Sequence, residues 1–238
     1  MAERIAKFIA RSGICSRREA EEIVCQQRVT VDGNTVTTPA YNVEGSEDIR
    51  IDGEKLPAIE PTRVWLYYKP VGLLTTHKDE NNRATVFENL PPTLPRVISV
   101  GRLDINSEGL LLLTNNGELA RKLELPENGW SRRYKVRVHG RLDEKKLAKL
   151  AEGVCIDGVQ YGAVKIEIES RNGSNSWLMI TLNEGKNREI RKLMKYVGLD
   201  VARLIRVSYG PFQLGRLKKG AVSEVPQKVL KEQLGSKL

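Results

Sequence analysis

A chain of 238 residues holds either one large domain or a medium and a small one, with a real core in both cases. Its 40% hydrophobic and 29% charged residues suit a soluble globular protein; no apolar run reaches membrane-spanning length, and residues 1–12 lack the uninterrupted apolar stretch of a signal peptide. Cys15, Cys25 and Cys155 have no paired metal-ligand spacing and only His77 and His139 accompany them, which predicts free thiols in a reducing cytoplasm and no zinc site.

The net charge of +9 favours a polyanionic partner, and its distribution says more than its size. Residues 1–60 carry 8 Lys/Arg against 11 Asp/Glu, a net of −3, whereas residues 185–219 carry 10 basic and 2 acidic side chains, a net of +8. A basic stretch of that density is expected to meet phosphates.

Taken in chain order, residues 4–11 place Ile5, Phe8 and Ile9 on one helical stripe. Ser12-Gly13 ends that helix, and Ser16 with Glu19 three residues on forms a capping box for a second helix that buries Ala20, Ile23 and Val24. Arg28–Gly33 reads as a strand entering a tight turn, and Ile49–Gly53 as a second short strand. Lys7, Arg11, Arg17, Arg18 and Arg28 cluster where these helices and the first strand meet. Residues 56–63, with two prolines and no periodicity, read as a linker.

From Val64 onwards strands dominate. Val64–Tyr68 runs into Lys69-Pro70-Val71-Gly72, which ends it. Leu110–Leu113 is an apolar run with the character of a buried strand, displayed behind a polar, Gly-bounded loop, Gly101-Arg102-Leu103-Asp104-Ile105-Asn106-Ser107-Glu108-Gly109. Tyr134–Val138, Val164–Glu169 and Trp177–Leu182 alternate cleanly, which argues for antiparallel or mixed pairing. Helices are expected at 118–123, 143–152 (capped by Asp143, closed by Gly153) and 187–197 (closed by Gly198). In the last of these Ile190, Leu193, Met194 and Val197 form the core stripe, and Arg188, Arg191, Lys192 and Lys195 take other faces. The turn Glu184-Gly185-Lys186-Asn187 leads into its N-terminus, a place suited to phosphate. The fold class is therefore α+β: a small α/β module at 1–60 and a larger domain at 61–238 with a mixed, mainly antiparallel sheet and flanking helices.

On local residues alone, Asp104 is a turn-capping carboxylate beside Arg102, Tyr134 is strand packing, and Arg191 is as much solvated helix as anything else. The order of the motifs changes that reading. Arg4-x-x-Lys7-Phe8-Ile9-Ala10, Ser16-Arg17-Arg18-x-Ala20 and Arg28-Val29-Thr30-Val31-Asp32-Gly33 resemble an S4 RNA-binding domain. Gly-Arg-Leu-Asp before the Leu-rich strand, Asn115-Asn116-Gly117-Glu118-Leu119-Ala120 after it, Arg132-Arg133-Tyr134, Glu184-Gly185-Lys186-Asn187-Arg188-Glu189-Ile190-Arg191 and Arg203-Leu204-Ile205-Arg206-Val207-x-Tyr209-Gly210 are similar, over nearly the whole chain, to the bacterial ribosomal-RNA pseudouridine synthases of the small-subunit-A/large-subunit-B group. They are most like the large-subunit type B enzymes. Ser107 and Asn116 depart mildly, where Thr and Asp are frequent.

The resemblance implies a cofactor-independent, metal-free isomerase that converts uridine to pseudouridine in ribosomal RNA, 23S before 16S. In the family's pattern Asp104 is the essential nucleophile, Arg191 pairs with it and Tyr134 stacks on the extruded base. Arg102, Leu204 and Lys69 are expected to bind substrate. Lys7, Arg17, Arg18, Arg28, Lys186, Arg188 and Lys192 are expected to contact RNA. The partner is ribosomal RNA or a pre-ribosomal particle, the protein a cytoplasmic monomer with no membrane association. One ionised carboxylate suffices for such a reaction, since Asp titrates near 4. A hydrolytic glycosidase needs a second carboxyl as acid, for which Glu108 is the nearest candidate. The rival classes are a non-catalytic rRNA-binding or assembly factor and a base-excising glycosylase.

Overall fold

The computed structural model describes residues 2–235, which divide into two compact units: residues up to Arg63 with 93–98 and 115–117, and the remainder.

In the first unit, α1 (Ile5–Arg11) and α2 (Arg17–Cys25) are followed by β1 (Val29–Val31), β2 (Asn34–Thr35), β3 (Ile49–Ile51) and β4 (Glu54–Lys55). The capping box at α2 is present: Ser16 Oγ accepts from Glu19 N at 3.2 Å and Ser16 N donates to Glu19 Oε2 at 2.8 Å. The strands pair in the order β2-β1-β3-β4. Ile5, Ile9, Ala20, Val24, Val29 and Val31 share one apolar core between helices and sheet. Their periods, three to four in the helices and two in β1, put every one of them on the inner face.

The second unit is built on one mixed sheet. Its strands include β5 (Val64–Lys69), β6 (Glu108–Thr114), β7 (Arg132–His139), β8 (Val154–Ile156), β9 (Val159–Tyr161), β10 (Lys165–Asn172), β11 (Asn175–Leu182), β12 (Asp200–Tyr209), β13 (Phe212–Gln213) and β14 (Val222–Glu224). The main path runs β10-β11-β7-β12-β6-β5-β14, with β13 added to β12 and β8-β9 a separate hairpin. The β12–β6 neighbours are parallel and the other pairs antiparallel. Helices α3 (Gly117–Glu124), α4 (Glu144–Lys149), α5 (Glu189–Tyr196) and α6 (Gln227–Leu234) complete it. Among the described residues no helix is long and apolar enough to cross a membrane.

β6 is buried along its whole length, as an apolar run in the middle of a sheet should be. β7 and β11 alternate instead, with one covered and one open face. The helix expected from Asn187 begins at Glu189, because Arg188 takes a left-handed backbone, φ 52° and ψ 32°, and caps α5 without a side-chain hydrogen bond. The helix expected over 143–152 is α4 followed by a 3-10 turn at Leu150–Glu152, with Asp143 accepting from Lys145 N and Lys146 N as anticipated.

Candidate active site

The residues singled out in the catalytic half converge through sheet register. Tyr134 on β7 is paired with Arg206 on β12, Arg206 with Gly109 on β6, and Gly109 with Lys69 on β5. One row therefore crosses four adjacent strands, each about 4.8 Å from the next. Period-2 alternation places Tyr134, Val136, Leu204 and Arg206 on one face, and Leu204 stands opposite Val136. All four are buried. Gly109 is required at its place in the row. Its φ is +106°, and a Cβ there would sit 2.3 Å from the Arg206 carbonyl oxygen.

The Asp104 loop hangs from this row. Lys69 is fully buried, and its ammonium donates to the carbonyl oxygens of Pro70 (3.0 Å), Asp104 (3.1 Å) and Ser107 (2.9 Å). Burial pushes that ammonium down to about 8, with the charges of Asp104 and Glu108 opposing the shift and Arg206 adding to it. From α5, Arg191 donates to Asn106 O at 2.9 Å and to Val201 O at 3.2 Å, so it ties the same loop to the end of β12. Thr75 Oγ1 donates to Leu103 O at 2.9 Å on the other side. The loop backbone is gripped at Leu103, Asp104, Asn106 and Ser107, while the Asp104 carboxylate stays 35% exposed. Arg188 Nη1 lies 3.7 Å from its Oδ2.

Three site expectations take a different form here. Arg191 was expected to pair with the Asp104 carboxylate; its hydrogen bonds go instead to main-chain carbonyls, and Arg188 makes the ion pair. Lys69 was expected to bind substrate; its three donors are committed to carbonyls inside the protein, which leaves none for a ligand. Glu108, the candidate general acid, lies on the opposite face of β6 from Gly109. Burial pushes its carboxyl up, but hydrogen bonds and charge from Arg203 and Lys219 outweigh that and hold it at about 2, and Tyr68 OH also donates to it at 3.1 Å. A carboxylate held that low has no proton to deliver at neutral pH.

Arg102, within the same loop, is exposed and makes no hydrogen bond or ion pair among the described residues. Lys192 is likewise exposed on α5. Lys186 is tied into the hairpin side, with Nζ donating to Gln160 O at 2.7 Å and lying 2.5 Å from Glu184 Oε2. Beneath the α5 entry, Glu189 is buried and accepts from Lys186 N at 3.0 Å. Burial, then the hydrogen bond and charge of Glu184, push the Glu189 carboxyl well above the usual carboxylate range. In the first unit, Lys7 pairs with Glu3 at 3.2 Å, Arg17 with Glu21 at 3.2 Å and Arg28 with Asp52 at 2.5 Å, all at exposed or half-exposed positions. Arg18 is exposed without such a partner among the described residues.

Arg206 was not singled out for the site. Its Nε donates to Leu110 O at 2.7 Å, it is 3% exposed, and its Nη2 has no hydrogen-bond partner among the described residues. Its parity with Leu204 on an alternating strand is the signal that points it inward.

Comparison with known proteins agrees with this architecture. The family described as RNA pseudouridylate synthase matches residues 63–196, and the S4 domain matches residues 3–49. An uncharacterized RNA pseudouridine synthase of Rickettsia felis is 50% identical over 97% of this chain and 100% of its own length. Ribosomal large subunit pseudouridine synthase B of Yersinia pestis is 42% identical over 96% of this chain and 74% of its own. A crystal structure of a pseudouridylate synthase superposes with a TM-score of 0.69 at 25% identity, covering 97% of this chain and 99% of that one. With an S4 domain ahead of a sheet that presents a clamped aspartate loop, the chain belongs to the RNA pseudouridine synthase family.

Proposed function

We propose that this RNA isomerase acts on a uridine of 23S ribosomal RNA, with Asp104 as the nucleophile, the segment 1–60 as an RNA-holding domain and 61–238 as the catalytic domain. The observation that carries the reading is the grip on the Asp104 loop. Lys69 and Arg191 fix its carbonyls from two sides, yet the carboxylate is left half-open to solvent beside Arg188. Holding a backbone that firmly behind a free charged group is what a nucleophile needs, because a misplaced one loses rate steeply.

In the reaction the C1′–N1 bond of uridine breaks, the uracil turns, and C1′ joins C5. The C5 hydrogen leaves to solvent and N1 gains a proton, so atoms and electrons balance with no co-reactant. The uridine has to leave its stack first, at a cost of a few kcal/mol. Tyr134 and Leu204 on the covered face supply a wall for the extruded base, and exposed Arg102 is free to reach its phosphate. Arg18, Lys192 and the exchangeable pairs of Lys7, Arg17 and Arg28 offset the extrusion through phosphate contacts. The ionised state of Glu108 supports isomerisation over glycosidic hydrolysis, since the acid such hydrolysis needs is missing there. The large-subunit target is supported by relatives named for it, 42–43% identical over 94–96% of this chain. The protein is expected to act as a monomer.

The test is tritium release from a 23S rRNA transcript carrying 5-tritiated uridine. Asp104→Asn is expected to bind that RNA as the wild type does and to release no tritium; release at the wild-type rate would remove Asp104 from the role. Release from a 16S transcript and none from 23S would move the target to the small subunit.

A further inference from the structure

β7 carries a second pattern that the catalytic face does not use. Its sequence Arg132-Arg133-Tyr134-Lys135-Val136-Arg137-Val138 sends Tyr134 and the valines to the covered side and Arg133, Lys135 and Arg137 to the open one. On the neighbouring β11, Lys135 is opposed by Met179 and Arg137 by Trp177, both half-buried. On β12, Arg137 is opposed by Arg203. A solvated sheet face normally sets opposite charges across from one another. Here Lys135 and Arg137 face a thioether and an indole on β11, and the Arg203 opposite Arg137 is already paired with Glu108. Lys135 Nζ lies 5.3 Å from the centre of the Trp177 ring and 2.9 Å from Glu169 Oε2. Arg133 and Arg137 are exposed and make no hydrogen bond or ion pair among the described residues, although Glu167 feels the charge of Arg133.

We infer that this open face of β7 and β11, on the side of the sheet away from Tyr134, is a second RNA-binding surface that takes a single-stranded segment of the substrate RNA outside the target site. The chemistry selects that occupant. The guanidinium groups of Arg133 and Arg137, four strand residues apart on the same open face, match two phosphates of an extended strand, and the half-buried indole opposite Arg137 offers a stacking surface that accepts any base. A protein partner would bring carboxylates to Arg133 and Arg137 but has no particular use for Trp177 opposite Arg137. The inference rests on this enzyme's RNA partner and not on the role given to Asp104.

The experiment measures the affinity of the full chain for an unmodified 23S rRNA transcript as a function of salt. Joint Arg133→Glu and Arg137→Glu substitution is expected to weaken binding about tenfold and to flatten the dependence of log K on log salt by one to two units, roughly one per lost phosphate contact. The joint Arg133→Lys and Arg137→Lys variant is expected to bind nearly as the wild type does. Binding within twofold of wild type for the reversed variant overturns the inference. An equal loss on reversing the exposed Lys145 and Lys146 of α4 also overturns it, by reducing the effect to overall charge. Unchanged RNA affinity with loss of ribosomal-protein binding would assign the face to a protein instead. Asp104→Asn, assayed alongside for tritium release, fails or succeeds independently, because affinity alone decides this question.

Discussion

Lys69 donates from the end of β5 to the main-chain carbonyl of Asp104 at 3.1 Å, so the loop that presents the carboxylate is anchored by a cation that never touches solvent. The same ammonium also holds Pro70 O and Ser107 O. Its role is to position: it sets where the Asp104 backbone is and leaves the side chain free.

Lys69→Met keeps the length of the side chain and removes all three donors. One buried and two half-buried carbonyls lose their partner, which is expected to cost about 2–4 kcal/mol in stability. The freed loop should lower kcat by roughly ten- to a hundredfold while RNA affinity stays the same. Urea unfolding and tritium release measured on one preparation check both; an unchanged kcat would show that the loop keeps its place without the anchor.

Gly109→Ala places a methyl group 2.3 Å from the Arg206 carbonyl oxygen at a backbone with φ +106°. The two strands have to separate, and the expected destabilisation is roughly 3 kcal/mol or more. A thermal unfolding midpoint within a degree or two of the wild type would contradict the close approach of β6 and β12.

Glu108 is held at about 2 by Arg203 and Lys219 against an ordinary value near 4.5. A depressed carboxyl stabilises the folded state above its unfolded value and loses that contribution as pH falls through its folded one. The wild type should therefore exceed Glu108→Gln by about 3 kcal/mol at neutral pH, with the gap closing between about pH 4.5 and pH 2. Denaturant titrations of both proteins across that window give the measurement.

Glu189 behaves oppositely, since burial and Glu184 raise its carboxyl. A raised acid contributes stability below its unfolded value and loses it as pH rises through the folded one. Glu189→Gln keeps the neutral form at every pH, so its midpoint should gain on the wild type as pH goes from about 5 to about 9. Parallel curves for the two proteins would refute the buried, protonated state.

Local chemistry was readable in the sequence. The Ser16–Glu19 box, the Asp143 cap, the buried run of β6 and the alternation of β7 and β11 all depend on neighbours within a few residues. The contacts that make the site do not. Lys69 meets Ser107 across 38 positions, Arg191 meets Asn106 across 85 and Arg203 meets Glu108 across 95. No periodicity reports which carbonyl a distant cation will find, so Lys69 read as a substrate ligand and Glu108 as a possible acid. Motif order led to the Asp104 loop; the register of four strands explains what surrounds it.

β14 returns to the edge of β5, where Val222 pairs with Tyr67 and Glu224 with Trp65. Tyr68 N donates to Ala221 O at 3.1 Å and Val225 N to Val64 O at 2.9 Å. During synthesis β5 thus waits, one edge bare, until residues made more than 150 positions later have left the ribosome. Contacts separated so widely along a chain form slowly, and an unpaired edge is prone to wrong associations in the meantime. An RNA pseudouridine synthase that finishes its own sheet so late is a natural client for chaperones that shield open strand edges on nascent chains.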